Sequence, residues 1–358
     1  MTEPSNHAAV QTRSIPRSRR RRIAAWAVLL ALGLVTGGGA GAYGWVERWL
    51  DRPTRAGAPT QVFAARKGRS VGQIARDLAA AGLVSHPRLF ALVARHQNVD
   101  TRIHSGEYEL SANLTPRQIL RRLAEGNVLQ VWVTLPEGLT RREVAHAIAA
   151  TGLADEQELL RATADARLVA GVDPESADLE GYLFPDTYRF PRGITTDAIV
   201  RTLVERFRQV AGEVLTPHLA RRGLTLRQAV TLASIVEKET GQRAERPLIA
   251  AVFLNRLARG MRLESDPTVI YGIPDFDGNL TRAHLRAATP YNTYVIPGLP
   301  AGPIANPGAE SLAAIATPAE VPYLFFVAKG DGTHQFSETL VDHERAVRKY
   351  QLGQAGSR

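Results

Sequence analysis

QVFAARKGRSVGQIARDLAAAGL, residues 61–83, is answered by VWVTLPEGLTRREVAHAIAATGL, residues 131–153, at an offset of 70. Under that shift Val62 faces Trp132, Ile74 faces Val144, Ala75 faces Ala145, Leu78 faces Ile148, Ala80 faces Ala150, and Gly82-Leu83 faces Gly152-Leu153. Each copy reads as a short strand, a turn at Gly68 or Gly138, and an amphipathic helix opened by Ser70 or Thr140, whose hydroxyl can accept a first-turn N–H. Gly82 and Gly152 suit the left-handed position that ends such helices. Two copies make no solenoid; they predict two small β-α units docked together.

Between the copies, Gly106 to Leu110 (GEYEL) reads as a strand, and Thr115 opens a helix with Pro116 in its first turn. The strand-helix-helix-strand order is similar to LysM-like modules, which bind cell-wall glycan; the alternative is a plain spacer. We assign residues 61–165 to this module and 47–60 to a linker, since Arg52 to Thr60 (RPTRAGAPT) lacks an apolar period.

Upstream, Arg13, Arg17 and Arg19 to Arg22 form a basic tail, residues 1–22, against one acid, Glu3. Ile23 to Val46 follows without a charged residue. At ~1.5 Å per residue this stretch can cross a hydrocarbon core of about 30 Å. Trp26, Tyr43 and Trp45 lie near its ends, as an interfacial aromatic belt requires, and the arginines predict a cytoplasmic N-terminus. The rival is a cleaved leader with its apolar core at Ile23 to Val35 and a cleavage site at Ala40-Gly41-Ala42. Either reading exports the remainder across the inner membrane.

The chain carries 44 basic and 35 acidic residues; the tail holds six and one of them, leaving 38 against 34 beyond it. That balance is too mild and scattered for a nucleic-acid partner. Without cysteine, neither disulfides nor thiolate metal sites are available. His334 and His343, with Asp342, make a poor metal set; packing or a hydrogen bond is the expected use. We expect no cofactor.

From Leu179 the character changes. LEGYLFPDTYRF, residues 179–190, is rich in aromatics around Pro185-Asp186. Thr195 to Val210, Leu224 to Thr240 and Glu245 to Arg259 read as helices, and Pro322 to Val327 as a strand joined through a Gly-Asp-Gly turn to another ending at Phe336. On the helix over LASIVEKET, residues 232–240, Ala229, Val230, Leu232, Ala233, Ile235 and Val236 fill one arc; Arg227, Ser234 and Lys238 fill the opposite one. Glu237 and Glu239 fall within or at the edge of the apolar arc. Desolvation there raises a carboxyl's pKa, as a general acid near neutrality needs. The alternative is a structural acid paired with Arg243 or Arg246, and the helix alone leaves both open.

ASIVEKET (233–240), FLNRL (253–257), GMRLESDPTVIYG (260–272) and TPYNTYVIPGLPAGPIANPGAESL (289–312) together resemble the YceG-like (MltG) endolytic murein transglycosylase family. LEGYLFPDTY and PYLFFVAKGDGTHQF fit the same likeness. It implies a lytic enzyme that cleaves the β-1,4 bond between N-acetylmuramic acid and N-acetylglucosamine within glycan strands, leaving 1,6-anhydromuramoyl ends. One carboxyl suffices. It protonates the leaving oxygen, then accepts the proton of the muramoyl C6 hydroxyl as that closes on C1. Lysozyme-like transglycosylases place this acid before Ser or Thr at a helix end, which matches Glu239-Thr240 and leaves Glu237 structural.

Asp266, Thr268, Tyr271, Asn292, Tyr294 and Glu245 are the candidate substrate contacts, with Tyr291 as a further ring face; Glu245 can alternatively buttress the catalytic helix. Glu180 and Asp186 can border the cleft, though Asp186 is equally a turn former. The expected fold class is α+β: a single transmembrane helix (23–46), the LysM-like module, and a mixed catalytic domain over 175–355. The expected partners are peptidoglycan glycan strands, the cytoplasmic membrane and peptidoglycan synthases. A non-catalytic wall-binding scaffold and a hydrolytic muramidase are the alternatives.

Overall fold

The computed structural model describes residues 39–66 and 68–352. The basic tail (1–22) and most of the expected transmembrane span lie outside the described residues. Among the described residues no helix is long and apolar enough to cross a membrane. The chain is a mixed α+β protein in two compact units, Met1–Val128 and Leu129–Arg358.

In the first unit, helix α1 (residues 39–50) leads to strand β1 (Thr60–Ala65), helices α2 (Val71–Ala80) and α3 (Pro87–His96), strand β2 (Gly106–Ser111) and helix α4 (Pro116–Ala124). β1 and β2 pair antiparallel, Thr60 opposite Ser111 and Ala65 opposite Gly106. Alternation puts Phe63, Ala65, Tyr108 and Leu110 inward and leaves Val62 exposed. The expected caps are present: Ser70 and Thr115 each form a capping box, with Gln73 and Gln118. Residues 47–60, expected as a linker, are instead laid onto this unit. Trp49 and Leu50 continue α1 into its core, Arg117 Nε bonds Asp51 Oδ1 at 2.7 Å, and Ser111 Oγ donates to the Ala58 carbonyl.

The second unit begins with strand β3 (Gln130–Thr134), helices α5 (Arg141–Ala149) and α6 (Glu156–Thr163), and strand β4 (Thr187–Pro191). β4 pairs antiparallel with β3, so the second copy of the repeat is again strand-helix-helix-strand. Thr140 caps α5 in a box with Glu143, and Gly82 and Gly152 both take positive φ after their helices, 71° and 74°. The unit boundary nevertheless falls between the copies, inside the span 61–165 expected as one module. The reason is the closing strand. The chain returns for it only after residues 164–186, which bury Leu179, Tyr182, Leu183 and Phe184 in the second unit's core.

Helices α7 (Thr196–Val214), α8 (Thr216–Arg222), α9 (Leu226–Glu239), α10 (Arg246–Ala258), α11 (Asp266–Tyr271), α12 (Arg282–Arg286) and α13 (Ala309–Ala316) follow. Strands β5 (Phe325–Ala328) and β6 (His334–Ser337) pair antiparallel, Phe325 opposite Ser337, and helix α14 (Leu340–Val347) comes last.

α9 is the central element. Thr225 caps it in a box with Gln228, and every residue from Ala229 to Val236 is buried. Its polar arc is not a solvent face. Ser234 is fully buried, donating to the Thr231 carbonyl at 2.7 Å and accepting from the Ile304 N–H at 3.0 Å. Arg227 pairs with the buried Asp173 at 2.9 Å. Loops 171–183 and 299–308 cover the side that the helical wheel left to water. Gly181 permits this approach: its φ is +86°, and a Cβ there would stand 2.6 Å from Pro303.

Candidate active site

Glu239 is the last residue of α9, and Thr240 leaves helical geometry with φ −145° and ψ 136°. The break turns the carboxyl toward a cavity of about 510 Å³ lined by Leu263, Glu264, Asp266, Tyr294, Leu324, the β5 residues 325–328 and His334. Protein surrounds most of the carboxyl while part of the residue stays open to solvent. Ser265 Oγ donates to Glu239 Oε1 at 2.5 Å. Desolvation pushes the carboxyl up to about 7, reinforced by the nearby Asp266 charge and opposed by the Ser265 bond and by His334. Such a group holds its proton near neutrality and can also take one back.

Glu237, two residues back and so about 200° around the helix, is a structural acid. Its Oε1 meets Arg246 Nη2 at 2.8 Å and its Oε2 accepts the Gly308 N–H at 3.0 Å. Arg246 also reaches Glu137 at 3.1 Å and Glu310 at 3.3 Å, so one buried guanidinium gathers three carboxylates. Arg243 takes Glu310 from the other side.

The remaining candidates divide. Asp266 and Tyr294 line the cavity and bind each other, Tyr294 OH donating to Asp266 Oδ1 at 2.7 Å. Thr268 and Asn292 do not reach it as free polar groups. Thr268 is fully buried, its hydroxyl bonded to the Ser265 carbonyl and to Thr293 Oγ1. Asn292, also fully buried, donates to the His284, Leu285 and Ala287 carbonyls and accepts from the Tyr294 N–H. It shapes the loop that carries Tyr294.

Tyr271 does not line the cavity; it packs on Tyr291 at 4.8 Å between ring centroids and donates to Glu180 Oε2 at 3.0 Å. Glu245 holds the hairpin: His334 N–H donates to Oε1 at 2.9 Å, and His334 Nδ1 lies 2.7 Å from Oε2. The carboxylate thus binds β6, not the catalytic helix α9 that it was expected to buttress. Asp186 accepts from Arg206 Nε at 2.9 Å and from the Thr187 N–H, a turn former held by an ion pair. His343 stacks on Phe325 at 5.2 Å.

Ser265 and Arg256 were missed as site residues, although both stand in quoted motifs. Arg256 is 7% exposed and lies over the Phe325 ring. It donates to the Leu324, Arg262 and Leu263 carbonyls and pairs with Glu264 at 3.1 Å. Asn255 donates to the Val321 and Tyr323 carbonyls. The Asn-Arg of FLNRL thus sews the approach to the β5–β6 hairpin onto α10. Nothing in their spacing reveals those distant carbonyls.

The model of the YceG-like family matches residues 63–349. This chain belongs to the YceG-like family. Relatives named "Endolytic murein transglycosylase" include one from Bacillus subtilis strain 168, 29% identical over 299 residues, with 79% of this chain and 82% of the relative covered. Another, from Streptococcus pneumoniae serotype 2 strain D39, is 28% identical over 323 residues. There the alignment covers 79% of this chain but 57% of the relative, so this chain spans little more than half the streptococcal length. A crystal structure of a YceG-like protein from Listeria monocytogenes aligns with a TM-score of 0.56 at 30% identity, covering 80% of this chain and 98% of that one. The span that matches the YceG-like family contains the first strand-helix-helix-strand copy from Phe63 onward, the whole of the second, and every residue of the cavity except Gln351.

Proposed function

We propose that this chain is an endolytic murein transglycosylase in which Glu239 acts first as acid and then as base. Glu239 protonates the glycosidic oxygen between N-acetylmuramic acid and N-acetylglucosamine. The resulting carboxylate takes the proton of the muramoyl C6 hydroxyl while that oxygen closes on C1. No water is consumed, and the new end is a 1,6-anhydromuramoyl residue. The observation that carries this reading is a partly open carboxyl raised to about 7, aimed into a 510 Å³ cavity and bonded to one hydroxyl donor. The relatives' shared name supports the substrate class.

Ser265 steadies the carboxylate formed after the first proton transfer. Asp266 and Tyr294 supply a bonded polar pair beside it, suited to sugar hydroxyl and N-acetyl groups. The first unit is a wall-contacting module, and the arginine-rich tail and uncharged stretch hold the enzyme at the inner membrane with its cavity outside. Strands emerging from peptidoglycan synthases are then within reach.

Asp266 in the same cavity also suits a hydrolytic muramidase, where a second carboxylate would activate water. The test is mass spectrometry of products released from purified peptidoglycan by the full-length chain and by Glu239→Gln. Anhydro ends from the wild type and none from the variant are expected. Reducing ends would establish the hydrolase, and anhydro ends from the variant would remove Glu239 from the chemistry.

A further inference from the structure

A second buried carboxyl stands at the other end of α11. Glu180, 4% exposed, sits in a cradle made only of donors. The Arg141 N–H donates to both its oxygens at 2.9 and 3.0 Å, Asn306 Nδ2 to Oε1 at 3.2 Å, and Tyr271 OH to Oε2 at 3.0 Å. A carboxylate, which only accepts, satisfies all three; an amide in its place turns an NH₂ toward donors. Burial pushes Glu180 up to about 7, with Asp178 adding to the rise and the donors opposing it. So costly a group calls for a use, and the chemistry above gives it none.

Tyr271 is the last residue of α11, and Ser265 immediately precedes the first. The helix has six residues, so its ends stand ~8 Å apart at ~1.5 Å per residue. At the start, Ser265 Oγ bonds Glu239, and Ser265 N–H is held by Thr293 Oγ1 at 3.0 Å. At the end, the Tyr271 hydroxyl is held by Glu180. A helix this short has little rigidity of its own: Thr268 pins its middle to Thr293 at 2.8 Å, and the grips on its two ends set how it pivots about that point.

We propose that Glu180 is a positioning residue for the reaction: by gripping Tyr271 it fixes the axis of α11 and so the place from which Ser265 meets Glu239. The proposal rests on the transglycosylase reading above. It places Glu180 outside the reacting atoms and assigns it no proton transfer to substrate.

The test is a double-mutant cycle on the full chain. Tyr271→Phe keeps the ring against Tyr291 and deletes only the hydroxyl; Glu180→Gln keeps the volume. Anhydro-end release is measured as kcat and KM, with thermal melting alongside. A displacement of the order of 1 Å costs up to ~10²-fold in rate; Tyr271→Phe is expected to lower kcat ~5- to 20-fold, with KM within about twofold. In a Ser265→Ala background the same substitution should cost less than about twofold, because the contact it positions is already gone. Glu180→Gln should repeat the pattern, and Glu180→Asp should recover part of the loss.

Equal losses from Tyr271→Phe with and without Ser265 would overturn the proposal, as would a folded Tyr271→Phe with wild-type kcat or a loss confined to KM. If Glu180→Gln fails to fold, the Tyr271→Phe cycle still decides. The Glu239→Gln control separates the two readings. A wild type that releases anhydro ends, a dead Glu239→Gln and an additive cycle would sink this inference alone.

Discussion

Glu237 and Glu239 stand two residues apart at the end of one helix, and the structure treats them oppositely. Glu237 is locked between the Arg246 guanidinium and the Gly308 N–H. Among the described residues Glu239 is hydrogen-bonded by a serine hydroxyl and makes no ion pair, with His334 opposing only at longer range, and its carboxyl rises to about 7. Burial alone does not make a general acid. What separates the two is whether the neighbour that replaces water carries a full positive charge or one neutral donor.

The comparison breaks most sharply on activity. Glu239→Gln should lower turnover by ~10³-fold or more, the scale of general acid–base catalysis. Glu237→Gln should stay within about tenfold in the same assay. Comparable losses from both would erase the distinction drawn here.

Stability should rank them the other way. Glu237 and Arg246 are each 5% exposed, and breaking such a pair usually costs ~3–5 kcal/mol. Since Glu137 and Glu310 remain on Arg246, we expect ~2 kcal/mol from Glu237→Gln in denaturant unfolding.

Glu239→Gln should stabilise the fold above neutrality. The folded carboxyl keeps until about pH 7 a proton that the unfolded chain releases near 4.5. The wild type therefore loses stability as pH rises through that window, and glutamine does not. The variant's advantage should be near zero at pH 4 and grow to ~2–3 kcal/mol by pH 8, at the lower end because the carboxyl keeps some solvent. A difference that does not change with pH would show that burial does not raise this group.

The smallest effect on pH dependence belongs to Ser265→Ala, whose loss in kcat is at least that of Tyr271→Phe. Its hydroxyl favours the charged form of Glu239, so removing it should move the alkaline limb of the pH–rate profile upward by less than ~1 unit. A downward move would mean that the hydroxyl serves the protonated form.

Much of this was legible from local rules. The caps at Ser70, Thr115 and Thr140, the left-handed glycines at 82 and 152 and the strands flanking the Gly-Asp-Gly turn fall where short-range chemistry puts them. The strand-helix-helix-strand repeat was visible in its first half only, because β4 returns after a long insertion that carries its own core. The wheel on α9 failed at Ser234 and Arg227, since a wheel assumes one buried face and loops cover the other. Glu239 could be singled out by its resemblance and by Thr240 after it. Thr268 and Asn292 looked like sugar contacts because polar residues in aromatic loops invite that reading. Their partners are carbonyls and hydroxyls brought in by folding, which residue type does not announce.

The central claim is that burial lifts the Glu239 carboxyl so that a large share of it still carries its proton near neutral pH. Carboxyl-labelled glutamate NMR of the full chain, with Glu239→Gln used to assign the resonance, measures this directly. The account predicts a titration midpoint of about 7. A midpoint near the ordinary 4.5 would contradict it.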